Sequence, residues 1–196
     1  MDCWSCGAER GEAAFCTSCS LIQPVSPRLG YFEALGLEPS MEVDRKALDA
    51  AFREVSKKVH PDRFPRDEPE QRKMALAHTE IVNQGYRALK DPLKRAEYLL
   101  ERRGVSLSGE HDKVEDPMFL MTMLEKQEAL EETTDPDAVQ SAKAETKARQ
   151  KKLLALLAGW HDRAEGTDAE ARAALIELRY LARMLELVGR KEEELF

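Results

Sequence analysis

A chain of 196 residues has room for one or two small domains, and its formal net charge of −7 argues against non-specific nucleic-acid binding by the whole molecule. Hydrophobic residues make up 42% of the sequence and aromatic residues only 6%, a balance rich in helix formers that predicts an all-helical protein. No apolar run approaches the roughly 20 residues that a membrane-spanning helix needs. The N-terminus shows no targeting pattern, so we expect a cytoplasmic protein without a membrane partner.

The first 22 residues contain all four cysteines of the chain, at Cys3, Cys6, Cys16 and Cys19. Two CxxC pairs separated by nine residues are typical of tetrahedral thiolate coordination, and we predict a tetracysteine zinc knuckle at residues 1–22 with a structural zinc ion. Iron in the same four-sulfur geometry, a redox dithiol pair and a pair of disulfides are the alternatives that the spacing leaves open. Arg10 is the only basic residue of the module, so nucleic acid is not an expected partner.

Residues 23–28 contain two prolines and are interpreted as a linker. A short apolar helix around Tyr31 and Phe32 follows, and Asp44 is the predicted N-cap of a second helix. That second helix carries one apolar stripe at three- and four-residue steps, formed by Leu48, Ala51, Phe52, Val55 and Val59.

The second helix is basic outside its apolar stripe and runs into the tripeptide His60-Pro61-Asp62. Residues 45–66 contain seven basic and three acidic side chains, and Arg53, Lys57 and Lys58 are predicted to form an exposed face. Pro61 disfavours helical geometry at His60, so the helix should end there. Asp62 then becomes an exposed acceptor suited to a charge-assisted pair with an arginine of a partner.

A long helix antiparallel to the basic one is predicted from Glu70 to Leu89, and a shorter one from Leu93 to Arg103 ends at Gly104. The apolar positions of the long helix are Met74, Ala77, Ile81, Val82, Tyr86 and Leu89. Residues 29–104 are therefore expected to form one helical domain with an antiparallel hairpin.

Residues 105–116 are polar and are interpreted as a second linker. Three helical segments follow, at about 117–132, 137–164 and 168–194, and we predict an antiparallel three-helix bundle over residues 117–196. Residues 110–196 contain 20 acidic and 13 basic side chains, a balance of −7, so the acidity of the chain lies in this bundle.

The first bundle helix has more apolar surface than packing on its neighbours requires. Stepping about 100° per residue, Phe119, Met123 and Leu130 form one stripe, and Leu120, Met121 and Leu124 form a second one. The last helix has a similar surplus, with Leu175, Leu178, Leu181 and Leu185 on one side and Ile176, Tyr180 and Leu187 nearly opposite. An apolar patch that continues into acidic residues indicates a binding face, unless two neighbouring helices bury both stripes.

The helix order around His60-Pro61-Asp62 resembles the J-domain of the DnaJ family. A closer resemblance is to the HscB family, the J-domain co-chaperones of iron–sulfur cluster assembly, and covers roughly residues 29–196. The segments that carry it are Tyr31-Phe32, Asn83-Gln84, the run from Asp91 to Leu100, and Phe119-Leu120-Met121 with Leu124-Glu125. The cysteine module is similar to the N-terminal extension of the animal and plant members.

The resemblance implies two protein partners and assigns residues to each. His60, Pro61 and Asp62 would trigger ATP hydrolysis on a heat-shock chaperone of the HscA or DnaK type, with Arg53, Lys57 and Lys58 docking on its acidic surface. An IscU-type scaffold protein would be held by Leu120, Met121, Leu124, Glu125, Glu128, Glu132 and Tyr180. The family commonly has Phe at the position of Tyr180.

Two functions other than that of a co-chaperone of cluster assembly are compared with the same residues. A general zinc-containing J-protein adaptor with a different client fits the same tripeptide. An intrinsic enzyme with His60 as general base is not expected, because the sequence shows no nucleophile motif and no glycine-rich phosphate loop.

Overall fold

The structure is a computed structural model, and it describes residues 2–9, 11–105 and 117–195. These parts contain seven α-helices and one 3₁₀ helix, and the only β pairing among them is two isolated bridges. The prediction of an all-helical protein is confirmed. The chain divides into two compact units, Met1–Asp91 and Pro92–Phe196.

The bounds of the helices follow the sequence pattern closely. They are α1 (Tyr31–Ala34), α2 (Arg45–Val59), α3 (Pro69–Lys90), α4 (Pro92–Arg102), α5 (Pro117–Glu132), α6 (Pro136–Asp162) and α7 (Asp168–Leu195), with the 3₁₀ helix Pro61–Arg63 between α2 and α3. Of the second linker, 105–116, only Val105 lies within the described residues.

Local hydrogen bonds explain where two of the helices begin. The Asp44 carboxylate accepts from the backbone N–H groups of Lys46 and Ala47, at 3.1 and 3.3 Å. At α7, the Thr167 hydroxyl oxygen accepts from the Glu170 N–H at 3.2 Å, and the Glu170 carboxylate accepts from the Thr167 N–H at 2.8 Å. Such caps contribute about 1 kcal/mol each by satisfying N–H groups that the helix leaves without partners.

In the first unit, α2 and α1 both pack against α3. Gly85 of α3 allows α1 to approach closely, since a Cβ atom there would lie 3.2 Å from the Cβ of Tyr31. The predicted stripe of α3 is wrong at Ala77, which is exposed, whereas Ala75 and His78 are buried. The reason is that α3 is covered by α2, by α1 and by the segment that contains Gln23, so its buried residues do not form a single stripe.

In the second unit, α5, α6 and α7 pack against one another as the predicted bundle, and α4 packs against α6 and α7. The Arg103 guanidinium lies 4.4 Å from the centre of the Trp160 ring, and its Nη1 donates to the Trp160 carbonyl oxygen at 3.1 Å. Arg179 of α7 also donates to the Glu97 carboxylate of α4 at 2.8 Å. These contacts hold the last turns of α4 on the bundle.

The two stripes predicted for α7 are only partly separated in the structure. Leu175, Leu178 and Leu181 are buried, as the first stripe requires. Leu187, which the sequence pattern places on the opposite stripe, is also buried and belongs to a core cluster with Leu130. Because α7 has neighbours on more than one side, both of its apolar sides are largely covered.

Candidate functional site

The N-terminal cysteines form one cluster. The Sγ atoms of Cys3, Cys6, Cys16 and Cys19 all lie within 4.8 Å of one another. The Cys3 and Cys19 sulfurs are 3.6 Å apart and those of Cys6 and Cys16 are 3.8 Å apart, much longer than the roughly 2.05 Å of a disulfide. Metal–sulfur bonds of about 2.3 Å in a tetrahedron place the sulfurs about 3.8 Å apart. The cluster therefore fits a metal ion bound by four thiolates.

Two similar backbone turns present these sulfurs. In the first, the Gly7 N–H donates to the Cys3 carbonyl at 3.0 Å, and in the second the Ser20 N–H donates to the Cys16 carbonyl at 2.9 Å. Gly7 has φ = +71°, a left-handed conformation in which a residue without Cβ is unstrained. The turns also aim backbone N–H groups at sulfur, from Ser5 to Cys3 at 3.5 Å and from Ser18 to Cys16 at 3.4 Å.

Backbone N–H groups of the two turns favour the charged form of two thiols. The Cys6 backbone N–H is the largest cause that lowers the pKa of Cys3, to about 6, and the Cys19 N–H lowers the pKa of Cys16. At Cys19 the Leu21 N–H lowers the pKa, but burial and the three neighbouring sulfurs together raise it to about 12. Four thiolates this close repel one another, and a bound divalent cation would remove that repulsion.

The cysteine module is joined to α3 through a buried contact at Gln23. The side chain of Gln23 is fully buried and donates to the carbonyl oxygens of Leu21 and Ile22 at 2.9 and 3.2 Å. Its backbone carbonyl lies 2.9 Å from Nε2 of His78, which is 2% exposed. The proposed linker at residues 23–28 thus contains packed residues. Sequence reasoning missed His78, although its four-residue spacing from Met74 and Val82 was a usable signal.

The His60-Pro61-Asp62 turn lies at the end of α2, where the sequence places it. His60 is the C-cap residue of α2, with φ = −61° and ψ = 130°, and Pro61 begins the 3₁₀ helix. Nδ1 of His60 accepts a hydrogen bond from the Asp62 backbone N–H at 3.2 Å, so in the neutral ring the proton is on Nε2. The Asp62 side chain is 81% exposed. The imidazole thus holds the backbone that presents an open carboxylate.

The carbonyl groups at the C-terminal end of α2 are bound by side chains from the loop and α3. Nη1 of Arg63 donates to the Lys57 carbonyl at 3.2 Å, and the Thr79 hydroxyl donates to the Val59 carbonyl at 3.3 Å. These bonds satisfy acceptors that a helix end otherwise leaves to water. They fix the turn to the hairpin.

The basic residues predicted on α2 are exposed. Lys58 forms an ion pair with Glu54 one turn earlier, at 2.6 Å. Arg53 and Lys57 have no ion-pair partner within the described residues. The structure therefore brings two unpaired cations onto the exposed face of the helix that ends at His60.

The second predicted surface lies on α5, which is the most exposed helix of the bundle. Leu120, Met121 and Leu124 are 37%, 60% and 55% exposed, whereas Leu130 is only 4% exposed. The separation of two apolar stripes on this helix is confirmed, because the bundle covers one and leaves the other in solvent. Exposed apolar side chains in one row mark an interaction surface more often than a solvated helix face.

Tyr180 of α7 lies beside this row and is half-buried. Its ring meets that of Phe119 edge to face, with the ring centres 5.5 Å apart. A groove of about 560 Å³ runs between α5 and α7, lined on one side by Leu120, Met123, Leu124 and Gln127 and on the other by Tyr180, Arg183, Met184, Glu186, Leu187 and Arg190. The acidic residues predicted for the same face, Glu125, Glu128 and Glu132, are exposed on α5. We refer to this groove as the client groove.

None of the helices in the described parts of the chain combines the length and the apolar composition of a membrane-spanning segment.

Two known domain families match the chain. The DnaJ domain matches residues 30–98, and the HSCB C-terminal oligomerisation domain matches residues 115–188. The first range contains the His60-Pro61-Asp62 turn, and the second contains every residue that lines the client groove except Arg190.

Curated relatives match most of the chain. The co-chaperone protein HscB homolog of Shewanella loihica is 35% identical over 173 residues, which is 86% of this chain and 100% of the relative. The homolog of Vibrio cholerae is 36% identical over 171 residues, covering 85% of this chain and 99% of the relative.

Solved structures extend the similarity. The chaperone HscB from Vibrio cholerae aligns with a TM-score of 0.73 at 34% identity, covering 85% of this chain and 99% of the other. The crystal structure of human co-chaperone protein HscB aligns with a TM-score of 0.85 at 27% identity and covers 98% of both chains. The domain matches, the curated relatives and the fold agree that this chain belongs to the HscB family of J-domain co-chaperones.

Proposed function

We propose that this protein delivers an iron–sulfur scaffold protein of the IscU type to a heat-shock ATPase chaperone of the HscA or DnaK type and stimulates ATP hydrolysis by that chaperone. The observation that carries the proposal is the presence, on one chain, of an exposed Asp62 carboxylate at the end of a basic helix and of an apolar groove on an acidic bundle. The ATPase activity belongs to the partner.

The chaperone is recognised by α2 and the turn that follows it. The exposed Asp62 carboxylate accepts hydrogen bonds from an arginine of the chaperone and forms a charge-assisted pair with it. The His60 ring maintains the geometry of this pair by holding the Asp62 backbone. Arg53 and Lys57 add attraction to an acidic surface, and Lys58 contributes after exchanging its partner Glu54.

The scaffold protein is held at the client groove. Leu120, Met121 and Leu124 provide apolar anchors that are already exposed, so binding covers them without rearranging the bundle. Tyr180 forms part of the opposite wall, and Glu125, Glu128 and Glu132 extend the contact along α5. Holding scaffold and chaperone on one chain raises the effective concentration of the scaffold at the chaperone.

The cysteine cluster is proposed to hold a structural zinc ion. Cys3, Cys6, Cys16 and Cys19 would fill all four positions of a tetrahedral site, as in closed structural zinc centres. When bound there, the ion would neutralise the thiolates and add folding free energy to a module too small to build an apolar core.

The client groove is tested by the combined change Leu120→Ala, Met121→Ala and Leu124→Ala. Because these side chains are exposed in the free protein, we expect little loss of stability. Removing these three exposed apolar anchors should weaken binding of an IscU-type scaffold by roughly 100-fold or more, measured by calorimetric titration.

The matched control is Leu156→Ala, which removes an apolar side chain that is 44% exposed on α6 and outside the client groove. This variant should bind the scaffold as the unchanged protein does. If the triple variant also binds the scaffold normally, the groove is not the client surface. If the unchanged protein stimulates the chaperone but binds no scaffold, it is a general J-protein with a different client.

A further inference from the structure

The wall of the client groove formed by α7 carries two arginines that no sequence pattern singled out. Arg183 and Arg190 both line the groove and are exposed. They are seven residues apart on α7, which places them two helical turns, or about 10.5 Å, from each other along one face of the helix. The guanidinium of Arg183 lies 5.6 Å from the centre of the Tyr180 ring.

Several other cations of the same unit have carboxylate partners. Arg149 donates to Glu177 at 2.6 Å, Lys143 to Glu192 at 2.6 Å, and Arg179 to Glu97 at 2.8 Å. By contrast, neither Arg183 nor Arg190 forms an ion pair with any carboxylate in the described parts of this unit.

Glu186 lies between the two arginines in sequence and lines the same groove. It is exposed and pairs with neither of them among the described residues. The α7 wall therefore leaves the guanidinium groups of Arg183 and Arg190 available to a ligand, with the carboxylate of Glu186 between them in sequence.

The two rims of the client groove differ in charge. On α5, the helical repeat places Met121, Glu125, Glu128 and Glu132 on one side, next to Leu124 and outside the groove lining, whereas the α7 wall carries Arg183 and Arg190. A segment bound between them meets apolar side chains at the centre, carboxylates along one edge and guanidinium groups along the other.

We propose that Arg183 and Arg190 are specificity residues that bind one or two carboxylates of the client. The partner segment that fits has an apolar anchor flanked by Asp or Glu on the side of α7. This inference rests on the proposed function of the groove and adds the chemistry of its client and the orientation in which the client lies. Charges at an exposed rim act mainly on the association rate and its salt dependence, while the apolar anchors act mainly on dissociation.

The test measures association of an IscU-type scaffold protein by stopped-flow fluorescence over a range of ionic strengths. Arg183→Glu with Arg190→Glu should slow association by roughly 10- to 100-fold at low salt, and the difference should shrink as salt is raised. The melting temperature of each variant establishes that the bundle remains folded.

The matched control is Lys151→Glu with Lys152→Glu. It changes the net charge by the same amount at two exposed positions of α6 that do not line the groove. If the association rate and its salt dependence are the same for both double variants, the arginines have no specific role. Faster association by the arginine variant overturns the proposal as well, because the rim of the scaffold would then be basic.

The outcome is separable from that of the groove itself. If the alanine variant at Leu120, Met121 and Leu124 loses scaffold binding while the arginine variant behaves like its control, the groove is the client surface and only the basic rim is wrong. If the unchanged protein binds no scaffold and instead self-associates through the groove, as seen by sedimentation, both the proposed function of the groove and the proposed role of the arginines are wrong.

Discussion

Replacing Asp62 by Asn should reduce stimulation of the chaperone ATPase to nearly the unstimulated rate. The Asp62 carboxylate is 81% exposed, so the change removes a charge-assisted interaction with the partner without disturbing the fold. A hydrogen bond to a charged group contributes about 1.5–3 kcal/mol, which corresponds to a roughly 10- to 100-fold weaker coupling. The measurement is the steady-state ATPase rate of the chaperone as the co-chaperone is titrated.

Asp67→Asn is the control, since Asp67 is an exposed carboxylate in the loop that follows the turn. It should leave stimulation unchanged. Equal losses of ATPase stimulation in the Asp62 and Asp67 variants would mean that the chaperone recognises the charge of the loop and not the position of Asp62.

His60 is expected to act largely by positioning Asp62. His60→Gln should abolish stimulation, because Gln places its polar atoms near the position of Nε2 and loses the acceptor that holds the Asp62 N–H. The variant His60→Asn should retain more of the stimulation, because the Oδ1 atom that it introduces can accept a hydrogen bond from the Asp62 N–H. Both variants should bind the scaffold normally. If the His60→Gln variant stimulates the chaperone as the unchanged protein does, the turn is not the trigger.

Removing a metal ion bound by the four cysteines should affect α3 as well as the cysteine module. Without a bound cation, the two cysteine turns are no longer held together through their four sulfurs. The segment that positions Gln23 then becomes free to move. The Gln23 carbonyl would then leave Nε2 of buried His78. Losing a buried hydrogen bond costs about 1–3 kcal/mol, and each kcal/mol lowers the melting temperature of a domain this size by roughly 4–8 °C.

The measurement is amide hydrogen exchange along α3 together with metal content, before and after chelation and in a Cys16→Ser variant. Protection around His78 should fall when the metal is lost. Ser18→Ala, between Cys16 and Cys19 but not a ligand, should keep both metal and protection. Unchanged exchange along α3 after complete loss of metal would show that the module and α3 are energetically independent.

Much of this fold could be predicted because its signals are local. Asp44 caps α2 by bonding to N–H groups two and three residues away, and Pro61 ends the same helix through its own ring. The exposed stripe of α5 was also predictable, since it depends on the spacing of apolar residues along one helix.

The features that sequence reasoning missed depend on contacts between distant residues. Buried His78 contacts the backbone carbonyl of Gln23, which is 55 residues away in sequence. Leu187 is buried because α7 packs against several helices, and one helical wheel cannot show how many neighbours a helix has. Arg183 and Arg190 could be recognised as open donors only when the partners of the other cations were known.

The measurement that tests the central claim most directly asks whether both surfaces must be on the same molecule. The His60→Gln variant keeps the client groove, and the triple alanine variant at Leu120, Met121 and Leu124 keeps the turn. The ATPase rate of the chaperone is measured with scaffold present, for each variant alone and for an equimolar mixture, at a protein concentration below that of self-association. We expect the mixture to stimulate no more than the alanine variant alone, because effective concentration requires one chain to hold both partners. Recovery of the scaffold-dependent stimulation of the unchanged protein by the mixture would contradict this account.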